Sequence, residues 1–192
     1  MKISRFKWAL SAAALAMSAS AFAAPPTPAM LANACGGCHG TNGASAGPSM
    51  PSLAGHSKES IVTAMKKFKS GERPATVMGR LAKGYSDADF AAMGDYFSKQ
   101  KFHITSQALD AAKVARGKSL EEESCSRCHM ESGKEGKDDS PIMASQWLPY
   151  LQIQMDQYLS GHRKMPEKMA EKVKPLSKQD LDALLQFYAS VK

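Results

Sequence analysis

Aromatic residues are scarce in this 192-residue chain: two tryptophans, five tyrosines and seven phenylalanines, 7% in all. Divided into two halves of roughly 80 residues, such a chain buries little apolar surface in either half unaided. Something other than side chains has to help fill each core. Long apolar runs are missing too. A membrane span needs ~20 strongly apolar residues. The nearest approach, Trp8 to about Ala19, is short and alanine-rich, preceded by Lys2, Arg5 and Lys7 and followed by Ala21-Phe22-Ala23. That is a secretory signal pattern. Residues 1–23 are therefore expected to be cleaved, after Ala23 or Ala24, leaving an exported product outside the cytoplasm with no membrane span. Sustained β alternation is absent, which points to an all-α fold. No Gly-x-Gly-x-x-Gly fingerprint occurs, so any dinucleotide cofactor would belong to a partner. Concentrated charge is absent as well. The formal +7 falls to +4 once Lys2, Arg5 and Lys7 leave with the signal. The remaining lysines are scattered (Lys66, Lys67, Lys69; Lys134, Lys137; Lys168, Lys172, Lys174), a pattern of solvated faces and not of a nucleic-acid footprint.

Cysteine is limited to four residues, and all four fall in two copies of one pentapeptide: Cys35-Gly36-Gly37-Cys38-His39 and Cys125-Ser126-Arg127-Cys128-His129. Cys-x-x-Cys-His reads as covalent heme attachment. Two thiols one helical turn apart can each add to a vinyl group of one porphyrin, and the next residue then offers its imidazole to the iron. A disulfide framework gives no reason for a histidine after each pair. A structural zinc site would have no use for two full signatures 90 residues apart. A thioredoxin-like pair would need a βαβ context. Two covalently bound heme c groups are expected, held by Cys35 and Cys38, and by Cys125 and Cys128, with His39 and His129 on the irons. Their four propionates would bring the net charge close to neutral.

Shifting the sequence by 90 residues superposes the halves. Pro51-Ser52-Leu53-Ala54 falls on Pro141-Ile142-Met143-Ala144, Phe68-Lys69-Ser70-Gly71 on Tyr158-Leu159-Ser160-Gly161, and Arg73 on Arg163. With one residue inserted, Ser86–Phe90 lands on Ser177–Leu181 and Tyr96-Phe97 on Phe187-Tyr188. Each unit reads as helix, heme turn, loop, helix, ligand loop, helix. Ile61, Met65 and Phe68 lie at helical spacing over 57–70, with Gly71 as a stop. Ser86 with Asp89, and Ser177 with Asp180, read as capping boxes opening the last helix of each half. Helix is expected again from about Thr105 to Glu123, after a linker through 98–103. The polar stretch 132–140 reads as an exposed loop with no site.

The repeat also selects the second iron ligands. Met78 and Met169 each precede the capping serine by eight residues, 39 and 40 residues after the two histidines. Methionine opposite histidine raises the reduction potential and closes the iron to exchangeable ligands, which suits electron transfer. Met165 is a rival to Met169 within Lys164-Met165-Pro166-Glu167-Lys168-Met169, and the register favours Met169. Met50, Met65, Met93, Met143 and Met155 have no repeat counterpart at the ligand position or pair at positions that read as helix interior. His56, His103 and His162 stand outside the ligand positions, with surface or hydrogen-bonded roles expected. Arg73 and Arg163 are candidate propionate partners, since guanidinium pairs carboxylate bidentately.

Outside the pentapeptides the stretches Phe68–Glu72, Val77–Ser86, Gln146–Gln152 and Met165–Ala170 make the chain resemble the diheme cytochrome c subunit of flavocytochrome c sulfide dehydrogenase. The resemblance implies two tandem class I cytochrome c-like domains related by internal duplication, set at 24–102 and 103–192. It implies His–Met ligation of both irons, pairing His39 with Met78 and His129 with Met169. It implies a periplasmic heterodimer with an FAD-containing flavoprotein subunit. In that family the flavoprotein oxidises sulfide, and the diheme subunit, not catalytic alone, passes electrons to a soluble cytochrome c or similar acceptor. The alternative is a free-standing diheme cytochrome c shuttling electrons to a terminal oxidase or reductase. A diheme peroxidase would need an open iron and is usually longer, and no signalling segment supports a heme sensor.

Overall fold

The computed structural model describes residues 25–135 and 140–192. The expected signal segment and part of the 132–140 loop, Lys137 included, lie outside the described residues. Among them every regular element is helical. The first half contains α1 (Pro28–Asn33), α2 (Gly36–His39), α3 (Lys58–Ser70), α4 (Met78–Leu81) and α5 (Asp87–Ser98). The second contains α6 (Ala111–Ser124), α7 (Met130–Gly133), α8 (Leu148–Leu159), α9 (Glu167–Val173) and α10 (Lys178–Ser190).

Local chemistry sets these boundaries. Helix α3 starts where the Ser57 hydroxyl accepts from the Ser60 amide, and it stops at Gly71, whose φ of 82° only glycine adopts without cost. Helices α5 and α10 open on full capping boxes, Ser86 with Asp89 and Ser177 with Asp180, as expected. Helix α6 begins at Ala111 and not near Thr105, because the Asp110 carboxylate caps the amides of Ala112 and Lys113. The chain before it is spent on tertiary bonds instead: the Thr105 amide donates to Ser145 Oγ at 2.7 Å, and Gln107 bonds Leu148.

Two separate cores result. In the first, Ala32, Ile61, Met65, Ala82, Phe90, Met93 and Phe97 bring α1 and α3 against α5. In the second, Leu120, Leu151, Met155, Leu184 and Phe187 join α6 and α8 to α10. The duplication is visible in the backbone. The Gly43 carbonyl accepts from the Leu53 and Ala54 amides, and that of Gly133 accepts from Met143 and Ala144. Gly55 donates to Phe97, and Ser145 to Tyr188.

The halves meet through residues that are equivalent in the repeat. His56 of the first and Gln146 of the second face each other, both buried. The Ser52 amide donates to Gln146 Oε1 at 2.9 Å, which fixes the amide's orientation. Gln146 Nε2 then donates to the Ser52 carbonyl at 2.9 Å and lies 3.3 Å from His56 Nε2. An amide NH₂ can only donate, so His56 Nε2 must accept and the ring must be neutral. Burial accordingly lowers the His56 pKa from 6.5 to about 4. The sign follows from linkage: a histidine charged more easily unfolded than folded costs stability as pH falls from 6.5 toward 4, and costs nothing above that window. The loss should approach about 3 kcal/mol at ~1.4 kcal/mol per pKa unit. His56→Gln, which places the second half's residue at this position, should flatten that part of the curve. Urea unfolding of both proteins at several pH values measures the difference.

Candidate heme sites

Each Cys-x-x-Cys-His segment folds as a single helical turn. The His39 and Cys38 amides both donate to the Cys35 carbonyl, at 2.9 and 3.2 Å, and His129 and Cys128 do the same to Cys125, at 3.0 and 3.1 Å. In each pair the first cysteine is half-buried and the second exposed. Burial raises the pKa of Cys35 and of Cys125, so the inner sulfurs are held as neutral thiols. One inner and one outer sulfur suit a flat group that enters the core with one edge at the surface.

His39 is buried, and its Nδ1 lies 2.8 Å from the Pro51 carbonyl oxygen. A carbonyl only accepts, so Nδ1 carries the proton and Nε2 keeps a free lone pair. Burial lowers the His39 pKa, favouring the neutral ligand form. His129 is lowered by the same cause, but its Nδ1 is sealed without a partner. Pro141, the repeat equivalent of Pro51, lines the same cavity.

That cavity, about 370 Å³, lies in the second half. Cys125, Cys128 and His129 form one side, Met169 another, and Leu151, Met155, Leu184 and Leu185 supply apolar wall. Met165 packs on the same core but does not border the cavity. Met169 is the third residue of α9 and Met78 the first of α4, so both candidate ligands sit at the start of short helices. Met78 packs, half-buried, on the first core, as does Cys35. Met65, Met93 and Met155 are buried core.

Cations frame the mouth of the second cavity. Arg163 reaches it from the second half and Arg73 from the first. The two guanidiniums converge on one acceptor, Gln154 Oε1, at 3.0 and 2.6 Å. Each is stacked on its own half's aromatic ring, Arg73 over Phe68 and Arg163 over Tyr158, with the cation 4.6 and 4.3 Å from the ring centre. Gln154 was not foreseen, although a polar residue inside the apolar spacing Leu151, Met155, Tyr158 signals a buried bond. Ser140 was likewise missed: the loop read as having no site contributes this serine to the cavity wall. His162 is exposed and His103 half-buried.

The residues fit heme. Paired thiols, an imidazole, a thioether, an orphaned buried His129 Nδ1, an apolar wall and guanidiniums at the mouth are what a covalently held iron porphyrin with two carboxylates requires. No helix among the described residues is long and apolar enough to cross a membrane.

Comparison with known proteins agrees with this chemistry. Residues 28–101 match the family described as Cytochrome c, and residues 112–187 the family described as Cytochrome C oxidase, cbb3-type, subunit III. A stretch of 46 residues is 48% identical to the cytochrome subunit of sulfide dehydrogenase of Chlorobaculum tepidum; it spans 24% of this chain and 42% of that protein, less than half its length. Cytochrome c4 from Pseudomonas stutzeri superposes with a TM-score of 0.75 at 25% identity, covering 88% of this chain and all of that one. Thiosulfate dehydrogenase from Marichromatium purpuratum superposes with a TM-score of 0.70 at 26% identity, covering 81% of this chain and 36% of that one.

Proposed function

Two cytochrome c domains make up this chain, and from that premise we propose that it is a periplasmic diheme relay, a subunit that takes electrons from an FAD-containing dehydrogenase acting on sulfide and hands them singly to a soluble cytochrome c or similar acceptor. The observation that carries the two-heme relay is the shared mouth of the second site, where Arg73 of one half and Arg163 of the other meet on Gln154. In the proposed complex the domains are 24–102 and 103–192, following removal of residues 1–23. The sulfur substrate rests on the sequence resemblance and on the names of two relatives, the cytochrome subunit of a sulfide dehydrogenase and a thiosulfate dehydrogenase.

Heme, when bound, supplies a one-electron Fe(III)/Fe(II) couple. The protein's own groups do the rest. Cys35 and Cys38, and Cys125 and Cys128, anchor the rings as thioethers. His39 and His129 offer neutral imidazole, and Pro51 holds the His39 tautomer. Met78 and Met169 would each offer a thioether to an iron, leaving oxygen and peroxide no open site. Arg73 and Arg163 neutralise propionate charge, and the apolar walls keep water from the irons. A reduced flavin is a two-electron donor, and two adjacent one-electron sites let it empty in single steps.

The test is to purify the untagged protein from its source, record its visible spectrum, assay bound flavin and add sulfide. Flavin co-purifying with c-type heme, together with heme reduction by sulfide, is the expected result. A second reading, a free-standing diheme carrier, is favoured by the end-to-end superposition on cytochrome c4. Two hemes without flavin and without response to sulfide would replace the first reading with the second.

A further inference from the structure

Beside the second candidate heme site the duplication is broken at two positions, from apolar to polar. Where the first half has Leu31 and Phe97, the second has Glu121 and Tyr188. Both are buried, at 3% and 2% exposure. Glu121 Oε1 is sealed from solvent without a hydrogen-bond partner, and the Tyr188 hydroxyl, equally sealed, has only the Cys125 sulfur beside it. They sit on α6 and α10, the two most closely packed helices of the second core. The Tyr188 hydroxyl lies against the sulfur of Cys125, its ring is edge-on to His129 with centres 6.1 Å apart, and Glu121 is one helical turn before Cys125. A structural role would call for apolar residues, as in the first half; a carboxylate oxygen left unpartnered in a core is destabilising. Burial, with Glu122 beside it on α6, raises the Glu121 pKa, and Lys172 on α9 lies near Cys125.

We propose that Glu121, positioned beside Tyr188, is a redox-tuning residue that holds the second heme's reduction potential below the value it would have with the first half's leucine and phenylalanine. Resting on the diheme reading above, the argument is electrostatic. The iron–porphyrin unit carries one more positive charge when ferric, and a carboxylate held in a low-dielectric core favours that state. Reduction of the second site is thereby disfavoured. No bond forms or breaks and no proton moves. The first site, with Leu31 and Phe97 in the same places, is spared this field. One fold thus yields two unequal one-electron sites from two substitutions.

The test is an optical redox titration of the holoprotein at fixed pH, with covalent heme counted per chain. Glu121→Gln, of the same shape, and Glu121→Leu, the first half's residue, should each raise one of the two potentials and leave the other in place. The expected change is at least tenfold in how one electron divides between the sites, equivalent to ~59 mV for a one-electron couple. Leu31→Glu should lower the other potential. Two hemes per chain with both potentials unmoved in Glu121→Gln and Glu121→Leu would overturn the inference while leaving the diheme reading intact, as would Glu121 and Leu31 variants moving the same potential. One heme per chain in the wild-type protein would overturn the diheme reading itself, and this inference with it.

Discussion

Met169→Ala is expected to open one of the two irons, and Met165→Ala to leave both closed. The two methionines lie four residues apart, and only Met169 borders the second cavity. Met165 precedes Pro166, the residue that caps α9, whereas Met169 stands within the first turn of that helix. Loss of the thioether should abolish the sulfur-to-iron absorption of one ferric heme in two and let cyanide or imidazole bind there. The potential of that heme should drop on the order of 0.2 V, within the ~0.8 V that axial ligands span. Met78→Ala should do the same at the other iron, and the double variant should bind two cyanides per chain. Cyanide titration followed in the visible spectrum reads all four proteins. If Met165→Ala opens an iron and Met169→Ala does not, the ligand assignment from the repeat is wrong by one helical turn.

Much of this molecule is legible in its sequence because the signals are local. The capping boxes at Ser86 and Ser177 and the glycine stop at Gly71 are each written within four residues. The Cys-x-x-Cys-His turns carry their own chemistry. The register of the duplication then carries information from one half to the other, singling out Met169 in the second half by its match to Met78 in the first. What the sequence hides is whatever depends on contact between the halves. Arg73 is a first-half residue at a second-half cavity. Gln146 bonds Ser52, 94 residues away, and forces His56 to stay neutral. Neither pairing has a periodicity to betray it. The start of α6 is hidden by contacts distant in sequence but within the second half: the Thr105 amide donates to Ser145, the Gln107 side chain to the Gln146 carbonyl, and the Asp110 amide to Gln186. The Glu121–Tyr188 pair falls between these cases. Its two members are visible as departures from the repeat, but their meeting requires the crossing of α6 and α10.

That crossing carries the largest expected loss of stability from a single methyl group. Gly117 lies in α6 where it passes closest to α10. A Cβ added there would stand 2.1 Å from the Ala183 carbonyl oxygen, 2.6 Å from its carbon and 2.7 Å from Phe187 Cβ. Two of those atoms are backbone and cannot swing aside, so the helices must separate. Alanine would gain ~1 kcal/mol of helix propensity over glycine. Overpacking costs ~1–3 kcal/mol when side chains can absorb it, and more when backbone must move. The net expected loss is therefore on the order of 2 kcal/mol or more, which for a domain of this size lowers its melting temperature by about 10 °C. The effect should be confined to the second half, because among the described residues the first half has no glycine at the equivalent place: the residue matching Gly117 is Thr27, the cap of the short α1. Thermal unfolding followed at the two heme environments should show the second transition falling and the first unmoved. Gly37→Ala is the control. No atom lies within 4 Å of its added Cβ, and the second half carries Arg127 at the same place. It should unfold as the wild type does, and equal losses at both glycines would show that close approach of α6 and α10 is not what holds the second domain together.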